Sequence, residues 1–135
     1  MTKEEVLKEM QVTYGLVPKF FEEFPEDIIV PQWELIKELF ARETTIPAKY
    51  KELISLGIAI GLRSWYMVFQ STEFAKVFGA SEEELREVRL IAQSITGWAV
   101  YLQSLQYDVG LFSREMLGMV EYAKSQMALE ERKAA

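Results

Sequence analysis

Ser81-Glu82-Glu83-Glu84-Leu85-Arg86-Glu87-Val88-Arg89-Leu90-Ile91-Ala92, continuing through Ile95, Trp98, Ala99 and Leu102 to Tyr107, is the stretch that sets the fold class. Leu85, Val88, Ala92, Ile95, Ala99 and Leu102 alternate spacings of three and four, which places them on one face of a helix. Ile91, Trp98 and Leu105 widen that apolar stripe. Ser81-x-x-Glu84 has the form of a capping box, so the helix has a defined start. The run Glu82-Glu83-Glu84 reads as a first turn whose negative charge the helix dipole favours. The pattern predicts a long helix reaching about Tyr107, with Gly97 in its middle.

The same signals recur on both sides. Thr2-x-x-Glu5 is a second capping box and predicts a helix over about Lys3 to Thr13, stopped by Gly15. Val17-Pro18-Lys19-Phe20-Phe21 to Pro25 reads as a short helical turn with its aromatics inward. Trp33, Ile36, Leu39 and Phe40 predict a helix from about Pro31 to Arg42. Pro47 predicts the start of another, running to about Leu62. That helix turns almost wholly apolar after Leu53, which marks it as central to a core or an oligomer. Gly57 and Gly61 share a face that a second helix can approach. Arg63-Ser64 is a break or a kink before a helix to about Phe78, with Gly79 as the residue beyond its end. After a turn over Asp108 to Gly110, a last helix is expected over about Ser113 to Glu131. The expectation is one all-α domain over residues 1–135, a bundle of six or seven helices.

Composition narrows the chemistry. The 135 residues include no cysteine, no histidine and no asparagine. Disulfides, thiol peroxidation and thiolate metal sites are excluded. So are the commonest general base and the usual zinc sites. No cofactor or metal is expected. The net charge of −6, with scattered basic residues, argues against nucleic acid. The longest apolar run, Leu56 to Leu62, is far short of the ~20 residues needed to span a bilayer. The first residues lack the basic and apolar regions of a signal peptide. A cytoplasmic protein without membrane attachment is expected.

Several segments share an order and spacing: Val17-Pro18, Pro47-Ala48-Lys49-Tyr50-Lys51-Glu52-Leu53, Gly61-Leu62-Arg63-Ser64-Trp65-Tyr66-Met67, Gln70-Ser71-Thr72-Glu73-Phe74-Ala75 and Phe78-Gly79-Ala80-Ser81. Over roughly Val17 to Tyr107 they resemble the carboxymuconolactone decarboxylase superfamily, and within it the alkylhydroperoxidase D-like branch. The motif of that branch is a Glu, a Cys-x-x-Cys pair beginning twelve positions later, and a His four beyond the second Cys. In this frame Glu52 matches the acid (64 − 52 = 12). Ser64 stands at the first Cys, Met67 at the second and Ser71 at the His (71 − 67 = 4). The decarboxylase branch relies on an acidic residue and the same His position, where this chain has Met67 and Ser71. Peroxide reduction needs an attacking thiolate and a resolving thiol. A serine hydroxyl supplies neither.

Two functions follow from the sequence. The first is a catalytically inactive, self-associating helical protein, either a natural degenerate member or an engineered assembly component. The resemblance implies a trimer or hexamer. The second is a residual enzyme or small-molecule binder in the former peroxidase pocket, with Glu52 as acid or base and Ser64, Tyr66 and Ser71 as hydrogen-bonding groups. Each candidate also has a plain structural role. Glu52 is then a partly buried acid held by a hydrogen bond or by Arg63, and the run Trp65 to Phe69 is core or subunit contact. Met116, Met119 and Met127 are either packing residues or an adaptable partner surface.

Overall fold

Thr2 Oγ1 accepts the Glu5 N–H at 3.3 Å, and the Glu5 carboxylate accepts the Thr2 N–H at 2.7 Å. This reciprocal cap opens α1 (Lys3–Tyr14). Gly15, at φ 74°, takes the left-handed conformation that ends it. A 3₁₀ turn follows at Lys19–Glu23. In the computed structural model, which describes Met1–Ala135, six α-helices and no strand make an all-α fold. The others are α2 (Glu26–Ile36), α3 (Ala48–Leu62), α4 (Trp65–Val77), α5 (Glu82–Ser104) and α6 (Val109–Ala134). No helix is long and apolar enough to cross a membrane.

The chain divides into two units, Met1–Val88 and Arg89–Ala135, with the boundary inside α5. The first unit holds two apolar cores. Val6 and Met10 of α1 meet Ile29 and Trp33 of α2, with Phe21 and Phe24 packed against them. Trp33 is fully buried and donates its indole N–H to Glu9 Oε2 at 2.7 Å. Lys37 Nζ lies 3.0 Å from the same carboxylate oxygen. The Trp33 hydrogen bond, and then Lys37, hold the Glu9 carboxyl below its ordinary pKa. The second core joins Leu56 of α3, Ala75 of α4 and Leu85 of α5. Lys49 ties the start of α3 to Glu84 at 3.0 Å, and Glu84 also completes the Ser81 capping box.

In the second unit Ala92 is the one buried residue, and α6 buries none. The corner before α6 is nonetheless well made. Asp108 Oδ1 accepts the Leu111 N–H at 2.7 Å, and the Tyr107 hydroxyl donates to Glu115 at 2.7–2.8 Å.

Several sequence expectations shift. The second helix starts at Glu26 rather than Pro31, and Pro31 lies inside it. Proline removes one helical hydrogen bond. Acidic Glu26 and Asp27 at the dipole's positive end and the burial of Ile29 oppose that loss. Beyond Ile36 the chain continues as a π-helical turn, Lys37–Ala41, which leaves Leu39 and Phe40 exposed. Phe20 is exposed, so only Phe21 and Phe24 of the aromatic turn face inward. The long fifth helix ends at Ser104, because Gln106 turns to φ 51°. The last helix begins at Val109, not Ser113, because Asp108 caps it. Gly57 does meet a neighbour, yet a Cβ there would sit an ordinary 3.8 Å from Val88 Cγ1.

Candidate functional site

Helix α3 buries one stripe, Glu52, Leu56 and Ala59. Helix α4 buries Ser71 and Ala75. These two helices pack together more extensively than any other pair. The residues singled out in the sequence therefore separate by environment. Glu52 (9% exposed) and Ser71 (1% exposed) are buried, while Met67 and Tyr66 lie outward. Ser64 sits at the turn between the helices.

That turn is a true break. Arg63 takes a left-handed backbone at φ 55° and its N–H reaches back to Ala59 and Ile60. Ser64 is then the N-cap of α4, and its Oγ accepts the Met67 N–H at 3.3 Å. The hydroxyl at the first Cys position thus serves as a helix cap, and no histidine exists to activate it. Ser64→Ala should destabilise the fold by about 1 kcal/mol, the usual cost of losing a serine cap. Thermal unfolding of the variant checks this, and an unchanged midpoint would remove the capping role.

Glu52 differs from the sequence expectation. Burial is the cause that pushes its carboxyl above the ordinary pKa, with no contribution from a hydrogen bond or from Arg63. The residue beside it, missed in the sequence, is Tyr14 at the end of α1. Burial raises the Tyr14 phenol first, and the negative charge of Glu52 raises it further. Tyr14 in turn stands edge-on to Trp33, with ring centroids 5.9 Å apart. Nothing in the local sequence around Tyr14 signals this neighbour, which comes from the tertiary path of α1.

The sign of the linkage at Glu52 is testable. Its folded pKa exceeds its unfolded one, so between the two the folded chain holds more protons. Stability from this group therefore falls as pH rises from about 4.5, the unfolded reference value. Glu52→Gln should lack that decline, so its stability relative to wild type should be greater at neutral pH than near pH 4. Glu9 and Glu84, whose pKa values are lowered, slope the opposite way in both proteins. The difference between variant and wild type isolates Glu52. A difference independent of pH would contradict the assignment.

At the motif positions the hairpin offers one carboxyl, Glu52, with its pKa raised by burial, and two hydroxyls, Ser64 and Ser71. No group of three carboxylates is placed to hold a metal ion. Two shallow depressions open elsewhere on the surface, one along α5 and one along α1, and neither includes a motif position.

Residues 33–108 match the sequence model of the Carboxymuconolactone decarboxylase family. Among solved structures, the fold is similar to the alkylhydroperoxidase AhpD core from Rhodospirillum rubrum, with a TM-score of 0.70. Sequence identity to that protein is 18%, over 79% of this chain and 82% of that one. A search of curated proteins finds no match.

Proposed function

The chain belongs to the carboxymuconolactone decarboxylase family, and we propose that within it the protein is a self-associating helical subunit without peroxidase or decarboxylase activity. One observation carries this reading: the α3–α4 hairpin that bears the motif frame presents an apolar outer face in place of reactive groups. Ile54, Ile58 and Leu62 line one side of α3, and Trp65, Tyr66 and Phe69 follow on α4, all exposed in the single chain. Trp65 is 73% exposed and stacks on Phe69 at 6.1 Å. Each of these six side chains is at least half exposed, and covering apolar surface is favourable by roughly 25 cal/mol per Å² before ordering costs. Large apolar side chains grouped on one exposed face support an interaction surface. The family resemblance makes a trimer, or a hexamer built from trimers, the expected assembly, and such homo-oligomers close with cyclic or dihedral symmetry.

Light scattering of the full chain at micromolar concentration tests the assembly, with three or six times the 15.7 kDa chain mass expected. A folded, cooperative monomer would overturn it. Peroxide consumption with a dithiol reductant should stay at the no-protein level. Turnover that survives repurification would overturn the loss of chemistry.

Glu52 favours a second reading, a small-molecule site that also uses Ser64, Tyr66 and Ser71. Its support is the mostly buried Glu52 side chain, whose carboxyl burial pushes above its ordinary pKa. Against it, Tyr66 points outward at 79% exposure and Ser64 is engaged in capping. A ligand held by Glu52 would lose affinity in Glu52→Gln with the assembly unchanged.

A further inference from the structure

Val6, Met10 and Tyr14 stand four residues apart and so share one face of α1. Val6 and Met10 are buried against Ile29 and Trp33, which fixes the body of the helix on α2. At the other end of the helix, the Lys3 backbone N–H donates to Glu26 at 2.9 Å. Tyr14 carries the stripe one turn past Met10, the last buried residue of α1. It is also the last residue of the helix, after which Gly15 takes its left-handed turn. Every residue from Gln11 to Leu16 is exposed, Tyr14 at 45%. Two neighbours meet at Tyr14. Its ring stands edge-on to Trp33, and its phenol is near enough to Glu52 to feel that charge. Glu52 is only 9% exposed.

From this we propose that the Tyr14 ring is a gate over the Glu52 carboxyl: it closes the site when it lies against Trp33, and it admits a small molecule carrying an N–H or O–H donor when it swings into solvent. The proposal rests on the small-molecule reading of Glu52 and adds to it the residue that controls access and the kind of molecule admitted.

The parts around the gate differ in freedom. Trp33 is fully buried and its indole N–H is bound to Glu9, so it is the fixed jamb. A half-exposed side chain at a helix end turns about its own side-chain bonds within nanoseconds and leaves the helix in place. An edge-on aromatic pair is a weak hold, so the ring favours the closed position and still opens often. The chemistry of the guest follows from the acceptor. Glu52 offers carboxyl oxygens in a site shielded from water, and a molecule that replaces water there has to bring a donor. Helix α1 lies outside residues 33–108, which match the family model, so control of access comes from the segment that precedes them.

Carbodiimide coupling tests the gate on the full chain. A water-soluble carbodiimide activates a carboxyl, and glycinamide displaces it, forming an amide and releasing the urea. Peptide mass spectrometry reads Glu52 and the exposed Glu23 in one sample. Tyr14→Ala should label at Glu52 about tenfold faster than wild type, the scale set by an edge-on aromatic pair, with Glu23 unchanged. Tyr14→Phe keeps the ring and should stay within about twofold of wild type. A folded Tyr14→Ala chain with wild-type labelling of Glu52 would overturn the proposal. Where that variant fails to fold, Glu52→Gln decides. Loss of the charge should lower the titration of one tyrosine, read by tyrosinate absorbance, and an unchanged titration would overturn the proposal. Acetamide probes the small-molecule reading separately. Saturation transfer to acetamide should be stronger from Tyr14→Ala than from wild type, and should vanish when Glu52→Gln is added. Fast labelling without that transfer removes the small-molecule reading and leaves the gate.

Discussion

Trp33→Ala is expected to destabilise the protein by about 4 kcal/mol, the upper range for a buried aromatic truncation. Trp33 has no exposed surface and sits between Val6, Met10 and Ile29. Its loss opens a cavity that α1 and α2 cannot fill without moving together. The indole N–H is also the first support of Glu9, so truncation leaves that carboxylate with Lys37 alone. Domains of this kind have total stabilities of about 5–15 kcal/mol, so the variant should lose between about a quarter and most of its stability and melt well below the wild type. Trp33→Phe separates the two contributions. It keeps most of the ring volume and lacks the N–H, and it should cost about 1–2 kcal/mol. Denaturant unfolding of both variants checks this. Equal losses would mean that the hydrogen bond, not the packing, holds the α1–α2 core.

Ile58→Glu should abolish the proposed self-association without unfolding the chain. Ile58 is more than half exposed and lies away from the buried stripe of α3. A carboxylate there is solvated in the monomer and loses its water only when another copy covers it, at a cost of several kcal/mol. Ile60 is different. It packs against the core of Leu56, Ala75 and Leu85, so Ile60→Glu should unfold the chain itself. The pair is read by molar mass together with helical circular dichroism. Ile58→Glu should be folded with lowered mass, and Ile60→Glu should lose helicity. Retention of the full mass by a folded Ile58→Glu would show that the outer face of α3 is not an interface.

The helices were legible wherever a local signal was complete. The capping boxes at Thr2 and Ser81 each form with both hydrogen bonds, because every group involved lies within four residues. Gly15 and Gly79 end their helices with positive φ, as local sterics demand. The errors lie where a residue has two local meanings. Pro31 reads as a helix start and is an interior residue. Asp108 reads as a turn residue and is a cap. Burial elsewhere settled the first, and a single side-chain hydrogen bond settled the second.

At the candidate site the division is sharper. The residue types alone decided what chemistry is missing, since a thiolate or an imidazole needs a cysteine or a histidine and the chain has neither. The spacing from Glu52 to Ser71 likewise located the frame. What the residue types left open was the environment of each group. Glu52 was expected to have a hydrogen bond or Arg63 as a partner; the fold buries it beside Tyr14 instead. Met67 and Tyr66 look interchangeable with core residues by composition, and the helical pairing turns them outward. Periodicity reports which residues share a helix face, because that follows from 3.6 residues per turn. It does not report how far along the helix a neighbour reaches. The stripe on α5 is continuous from Leu85 to Leu102, yet Ala92 is its last buried residue and Leu102 is only partly covered.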